Sequence, residues 1–348
     1  MSNVNGTTSK TSGAGGIVNV GFTCYANATL QAFRHCYNLE NLFQEDKYST
    51  ILKDSCKFNE LTKQFANVVQ TLSTIQSNSS IRPNGFWHAL SEVTKDSCFE
   101  HLALREPHDA HEFLMFLLDS LHESLSRKVN MNITKCDLKS ERQIFQQKSL
   151  EVWKESFQNS YSPFVDLFFG MFHIQTLCQS CGFTSNKWET FNTLKGVIHK
   201  QNDKLTLIRC IMDELNEEVI DDYACDKCAP KRSKAIRKTR VWKLPKNLIV
   251  VLKRFTYDGN KIYTAIEPFG PELSLHDLFS QSSPYKKSCD YQLNSIIDHH
   301  GSSRGGHYTA QAKHRSEKKW FLYDDQNVHS MEGPNMGETS YIFFLESK

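Results

Sequence analysis

Gly16-Ile-Val-Asn19-Val-Gly21-Phe22-Thr23-Cys24-Tyr25-Ala26-Asn27 is the stretch whose reading decides the fold. From it onward Ala26, Leu30, Phe33 and Tyr37 recur at helical spacing, which predicts an amphipathic helix beginning at Thr23-Cys24. The thiol then stands at the positive end of that helix. Cysteine attacks as thiolate, and because a free thiol titrates near about 8.5, a helix N-terminus or an adjacent imidazole is what makes it reactive at neutral pH. Gly15, Gly16 and Gly21 let the backbone turn tightly ahead of Cys24, and Asn19 offers an amide that could donate to an oxyanion. A lone cysteine is more often a buried structural thiol, so a second element is needed.

That element is Gly305-Gly306-His307-Tyr308, followed by Trp320-Phe-Leu-Tyr-Asp324-Asp325. Cysteine early, histidine and acid late, is the chain order of papain-like proteases. In that scheme His307 draws the proton from Cys24, and Asp324 accepts from the other ring nitrogen and fixes the tautomer. The two glycines leave room for a substrate backbone. With 14 histidines in the chain, spacing alone does not choose His307 over a packed core residue.

Further out, a second helix is predicted from near Asp109, with Leu114, Leu117, Leu118, Leu121 and Leu125 on one face. Residues 126–160 are polar and of mixed charge, as in a surface insertion or exposed helix, and 165–172 are apolar. From Phe172 the pattern turns to strands: 248–252, 291–297, 307–312, 320–323 and 341–345. Helices first and strands later favour an α+β architecture. Residues 1–15 read as a flexible polar tail.

With 41 basic and 39 acidic side chains the net charge is +2, so no overall field draws the chain to nucleic acid or to a membrane surface. No apolar run approaches the roughly eighteen residues of a spanning helix, and the first residues lack a secretory pattern, so the cytosol or nucleus is the expected compartment. Among 11 cysteines, Cys178-Gln-Ser-Cys181 and Cys225-Asp-Lys-Cys228 form two CxxC pairs, each able to present two thiolates to a tetrahedral zinc. Four thiolates close the coordination sphere, so the expected zinc is structural. Cys36, Cys56, Cys98, Cys136, Cys210 and Cys289 read as packing residues. Lys231 to Lys243, the most basic stretch, reads as a solvated strand edge.

Residues 16–27 resemble the cysteine box of the ubiquitin-specific proteases, and Asp298-His299-His-Gly301-Ser-Ser-Arg-Gly305-Gly306-His307-Tyr308-Thr309-Ala310 resembles their histidine box. The likeness continues through 320–325, Leu248 to Phe255 and Tyr341 to Glu346. It implies a papain-like hand over residues 16–348: a helical thumb at about 16–160, zinc-tipped β fingers at about 165–250 and a β palm mainly at 250–348. It further implies Asn19 as oxyanion donor, Asp325 as an assisting acid beside Asp324, and His299 and Gly301 in a loop bordering the channel for the substrate tail, next to Gly305, Gly306 and Tyr308. Pro107-His108-Asp109-Ala110-His111-Glu112 resembles the second thumb motif, whose acids face arginines in ubiquitin's tail. Spacing alone gives Asp109 and Glu112 a capping arrangement. Two departures stand out: Phe22 where a small or polar residue is usual, and Pro107 where glutamine is.

The function implied is hydrolysis of the isopeptide or peptide bond after the C-terminal glycine of ubiquitin, through a cysteinyl thioester, by a monomer. Another ubiquitin-like modifier as substrate, or a catalytically weak ubiquitin-binding scaffold, are the alternatives.

Overall fold

The computed structural model describes residues 12–44, 46–104, 106–134, 140–200, 204–302 and 305–348. Cys136 and residues 1–11 of the expected tail lie outside these. The chain opens with β1 (Gly16–Ile17), α1 (Cys24–Arg34), α2 (Tyr37–Gln44), α3 (Asn59–Thr74), β2 (Ser80–Ile81), α4 (Asn84–Thr94) and α5 (Ala110–Ser124). It continues with α6 (Glu141–Phe157), α7 (Pro163–Phe168), β3 (Gly170–Cys178), β4 (Thr184–Phe191), β5 (Thr193–Val197), α8 (Leu207–Glu214), β6 (Glu218–Ala224) and β7 (Arg232–Lys243). Last come β8 (Asn247–Lys253), β9 (Leu273–Ser274), β10 (Asp290–Ser302), β11 (Gly305–Lys313), β12 (Trp320–Asp324), β13 (Asn327–Met331) and β14 (Ser340–Ser347). Helices precede most strands, as the α+β reading expects.

The chain divides into two compact units, residues 1–124 with 294–335, and residues 125–293 with 336–348. This grouping departs from the expected sequential split near 160 and 250, because the late strands that carry His307 and Asp324 fold with the early helices. In the first unit the antiparallel order β10-β11-β12-β13 packs β11 and β12 against α1. Helix α1 is not amphipathic: all 11 of its residues are buried, with further helices packed around it. A helix enclosed on every side holds its first residue firmly, and that residue is Cys24.

Residues 12–15 are also not tail. Ala14 is 0% exposed, Gly13 N bonds Ile75 O at 2.7 Å, and Gly16 N bonds Ser79 O at 2.9 Å, so the segment enters the core before the cysteine stretch starts. Backbone partners drawn from the turn after α3, invisible in a polar sequence, hold it.

In the second unit, β3 and β7 form the middle of a four-stranded sheet ordered β4-β3-β7-β6. Met171, Trp188 and Trp242 of its strands pack around Phe145 of α6. The basic stretch is therefore an interior strand, contrary to the edge expected for it, and acids of the true edge around β6 neutralise it. Lys234 meets Asp221 at 2.9 Å, Lys238 meets Glu217 at 3.3 Å, and Arg237 meets Glu218 at 2.5 Å. The polar stretch after 126 yields α6, opened by a capping box between Ser140 and Gln143. Helix α8 and strand β13 were not anticipated; α8 starts at an N-cap in which Thr206 Oγ1 accepts from Arg209 N at 3.1 Å. Cys36, Cys210 and Cys289 are buried as packing residues, but Cys98 is exposed and Cys56 half-buried. No described helix is long and apolar enough to cross a membrane.

Candidate functional site

Cys24 is the first residue of α1 and is 9% exposed. His307 lies on β11 and Asp324 ends β12. Continuing the β11–β12 register from Ala310 opposite Tyr323 sets Thr309 opposite Asp324, which makes His307 the diagonal neighbour of Asp324 on one face. The side chains use that placement: His307 Nε2 donates to Asp324 Oδ1 at 2.6 Å, and the imidazole hydrogen-bonds the Cys24 thiol, which leaves Nδ1 for the sulfur. These bonds push His307 up to about 9, first through Cys24 and then through Asp324, with partial burial opposing. The imidazole thus holds its proton in the geometry that an ion pair with a thiolate requires.

The adjacent acid takes a different job. Asp325 occupies the two-residue turn between β12 and β13 with φ 50°, so its side chain leaves in a direction that Asp324 on the strand cannot take. Its Oδ2 accepts from Asn19 Nδ2 at 2.9 Å, its Oδ1 accepts from Asn27 Nδ2 at 2.8 Å, and its carbonyl accepts from Ile17 N at 2.9 Å. Asp324 addresses the histidine, and Asp325 addresses the cysteine loop.

Asn19 shapes that loop. Its Oδ1 accepts from Gly21 N at 3.0 Å, Thr23 N at 3.2 Å and Thr23 Oγ1 at 3.3 Å, while one N–H of its amide is bonded to Asp325. The second N–H is the one that can meet an oxyanion. Phe22 sits between the two bonded amides with φ 53° and is 61% exposed, so it does not pack inward. Asn27 is not among the site residues expected from the sequence, and its one sequence signal is its spacing, three residues after Cys24 and so on the same face of the helix.

The expected substrate contacts are placed as follows. Asp109 precedes α5 and its Oδ1 accepts from His111 N at 2.6 Å, a cap on the helix. Glu112 Oε1 is 3.2 Å from His101 Nε2. His299 belongs to β10, not to a loop. It is buried, directly opposite Tyr308, with ring centroids 4.7 Å apart. The phenol of Tyr308 bonds the backbone of Ala110 at the start of α5, and burial pushes it up.

The two glycines before His307 differ. A Cβ on Gly306 would lie 2.2 Å from His300 O and 2.4 Å from His299 Nε2, whereas one on Gly305 meets nothing within 4 Å. Only Gly305 leaves room; the space beside Gly306 is already filled. Gly306→Ala is expected to cost about 1–3 kcal/mol of stability, the range for overpacking. Gly305→Ala should leave the melting temperature unchanged and raise KM if substrate backbone runs there. Thermal melts beside steady-state kinetics check both, and equal behaviour of the two variants would contradict the assignment.

In the second unit, Cys178, Cys181, Cys225 and Cys228 bring their sulfurs within 4.8 Å of one another. The Cys178–Cys228 and Cys181–Cys225 separations are 3.8 and 3.6 Å. Tetrahedral ligation at a metal–sulfur distance of about 2.3 Å sets sulfurs about 3.8 Å apart, so the donor set fits such an ion. Turns aid the fit: Gly182 N bonds Cys178 O at 2.9 Å and Cys228 N bonds Cys225 O at 3.1 Å. Ser233 Oγ lies 3.1 Å from Cys178 Sγ, where a hydroxyl can donate to a thiolate.

Human ubiquitin carboxyl-terminal hydrolase 2 is 26% identical over 347 residues, covering 96% of this chain and 55% of that protein. Ubiquitin carboxyl-terminal hydrolase 4 of Saccharomyces cerevisiae is 30% identical over 368 residues, covering 94% and 39%. The chain thus spans about half the length, or less, of the curated relatives it matches. The SAGA DUB module Ubp8/Sgf11/Sus1/Sgf73 bound to monoubiquitin has a chain that superposes with TM-score 0.73 at 22% identity, covering 99% of this chain and 72% of that one. The same module bound to ubiquitin aldehyde gives TM-score 0.72 at 23% identity, covering 98% and 72%. These two likenesses establish a shared fold. The family model described as ubiquitin carboxyl-terminal hydrolase matches residues 15–345, from the segment that enters the core beside α1 to the end of β14. By that match, the chain belongs to the ubiquitin carboxyl-terminal hydrolase family.

Proposed function

We propose that this chain is a cysteine-type deubiquitinase that hydrolyses the isopeptide or peptide bond after the C-terminal glycine of ubiquitin. The observation that carries this reading is the line from the Cys24 thiol through the His307 imidazole to Asp324 at 2.6 Å. Cys24 attacks the glycine carbonyl, and the tetrahedral oxyanion meets the Cys24 backbone N–H and the free N–H of Asn19. His307, held protonated by its two partners, gives its proton to the departing amine, and a thioester remains on Cys24. His307 then draws a proton from water, which releases the ubiquitin carboxylate and restores the thiol site. Asp324 keeps the ring oriented throughout.

Of the residues expected to bind the tail, Asp109, Glu112, His299, Gly305 and Tyr308 make up the set on this reading and Gly306 is packed against His299 and His300, with Glu112 giving up His101 to meet an arginine. The metal held by Cys178, Cys181, Cys225 and Cys228 is zinc, and bound there it supplies structural cross-linking only, since four thiolates leave no site for substrate. The protein acts as a monomer in the cytosol or nucleus on this reading. Fluorogenic amides of ubiquitin and of other ubiquitin-like modifiers test the substrate. Hydrolysis of the ubiquitin amide, with a kcat/KM at least tenfold above the rest, is expected; preference for another modifier, or no turnover of any, would sink it.

A further inference from the structure

Behind the catalytic face, the last turn of α1 carries a buried cation. Arg34 is 2% exposed, and among the described residues no carboxylate bonds it; Glu40 acts on it only through space. Its Nε donates to Gln31 Oε1 at 2.8 Å, and its Nη2 donates to Gly13 O at 2.9 Å and to Tyr323 Oη at 3.5 Å. The guanidinium also lies 5.7 Å from the centre of the Tyr323 ring. Gln31 Nε2 in turn donates to Gly15 O at 2.9 Å.

The network closes in one orientation only. His35 Nδ1 lies 2.6 Å from Gln31 O, a carbonyl that can only accept, so Nδ1 carries the proton. Burial and the Arg34 charge lower the His35 titration, so the ring is neutral and Nε2 accepts. Tyr323 Oη, 3.3 Å away, therefore donates to His35 and presents its lone pair to Arg34. His314, also held below its usual range by burial, Arg315 and Glu40 are the nearby charged or titratable neighbours. Desolvating a guanidinium is costly, and the helix C-terminus with two carbonyl-type acceptors offsets part of the cost. What the arrangement secures is visible in what it joins: the helix that begins with Cys24, the strand residue immediately before Asp324, and the segment that leads into the Asn19 loop.

We propose that Arg34, acting through Tyr323, Gln31 and Gly13, is a positioning residue that holds the Asp324 strand and the Asn19 loop in register with the Cys24 helix. The inference rests on the deubiquitinase reading for its kinetic test alone. Tyr323→Phe deletes one hydroxyl and keeps the ring, and Arg34→Lys keeps the charge but loses the fork. Each is to be measured for kcat and KM against pH on the ubiquitin amide, for melting temperature, and for the rate at which iodoacetamide alkylates Cys24, mapped by peptide mass spectrometry. Misplacement by a fraction of an ångström predicts about a tenfold fall in kcat at nearly constant KM, with the alkaline limb displaced to lower pH and Cys24 alkylation slowed in the same sense as by Asp324→Ala. A lowered melting temperature with kcat, pH limb and alkylation rate all unchanged overturns the proposal. Should the parent turn over no ubiquitin amide, the substrate reading fails and the alkylation rates decide this inference by themselves: slowed rates support it, parent-like rates overturn it.

Discussion

His307→Ala is expected to lower kcat on a ubiquitin C-terminal amide by roughly 10²–10⁴-fold, the range for loss of a positioned acid–base, with KM little changed. The pair Cys24→Ala and His307→Ala together should be no worse than Cys24→Ala alone, since the two act as a unit. Removal of the acids separates their roles. Asp324 touches the histidine, so Asp324→Asn should act through pH, whereas Asp325→Ala should act through the Asn19 and Asn27 contacts and leave the titration of His307 in place. In the parent, His307 is pushed from its ordinary 6.5 to about 9, so turnover should fall as pH rises through about 9 and the imidazolium is lost. Asp324→Asn removes one of the causes that raise it, and the alkaline limb should shift to lower pH. Stability follows the same sign. A histidine that titrates higher folded than unfolded contributes stability fully below about 6.5, and that contribution is lost as pH rises through about 9. With both side chains near two-fifths exposed, solvent screens much of it. Activity profiles and melts from pH 5 to 10 check both limbs; an alkaline limb identical in parent and Asp324→Asn would contradict the assigned contact.

The second large effect is loss of the metal. One zinc per chain is expected by elemental analysis, and Cys178→Ser with Cys225→Ser should abolish it, because each substitution removes a thiolate from a set already spaced for tetrahedral ligation. Structural zinc contributes about 10–16 kcal/mol in small peptides, but here the strands keep their own ladder from Gly170 to Cys178, so the loss should fall on the tip. Cys24, His307 and Asp324 belong to the other unit. Ubiquitin KM should therefore rise while kcat stays within about twofold, a split that general unfolding does not produce. Cys56→Ser and Cys98→Ser, outside the cluster, should change neither metal content nor kinetics. Substoichiometric zinc in the parent would remove the site from the account.

Where the sequence carried the answer, it did so through local chemistry. The start of α1, most of the leucine face of α5 and the apolar strands from 248 onward form where the sequence places them, although α1 ends at Arg34 and Tyr37 opens α2. The CxxC pairs were legible for the same reason, since two thiolates in one turn have few uses. What escaped depended on tertiary placement. Polar residues 12–15 gave no hint that Ile75, Gln31 and Arg34 would bind their backbone. The enclosure of α1 on all faces could not be read from a mixed sequence, because the donors that Asn27, Gln31 and Arg34 bring into the core are met by acceptors from other segments. Two adjacent aspartates look alike in a sequence, and only the left-handed turn at Asp325 sends them to different partners. The positive charges of β7 look like those of an edge in the sequence because their acidic partners, Glu217, Glu218 and Asp221, lie in a neighbouring strand and the turn before it. Glycines 305 and 306, identical by composition, differ because the His299 ring fills the space beside one of them.

The central claim is that Cys24 is the nucleophile toward the C-terminus of ubiquitin. Ubiquitin bearing a C-terminal electrophile, incubated with the parent, Cys24→Ala and Asp324→Asn and followed by peptide mass spectrometry, tests it directly. One adduct on Cys24 in the parent, none in Cys24→Ala and slowed formation in Asp324→Asn is the predicted result. An adduct on any other cysteine, or undiminished labelling of Cys24→Ala, would contradict it.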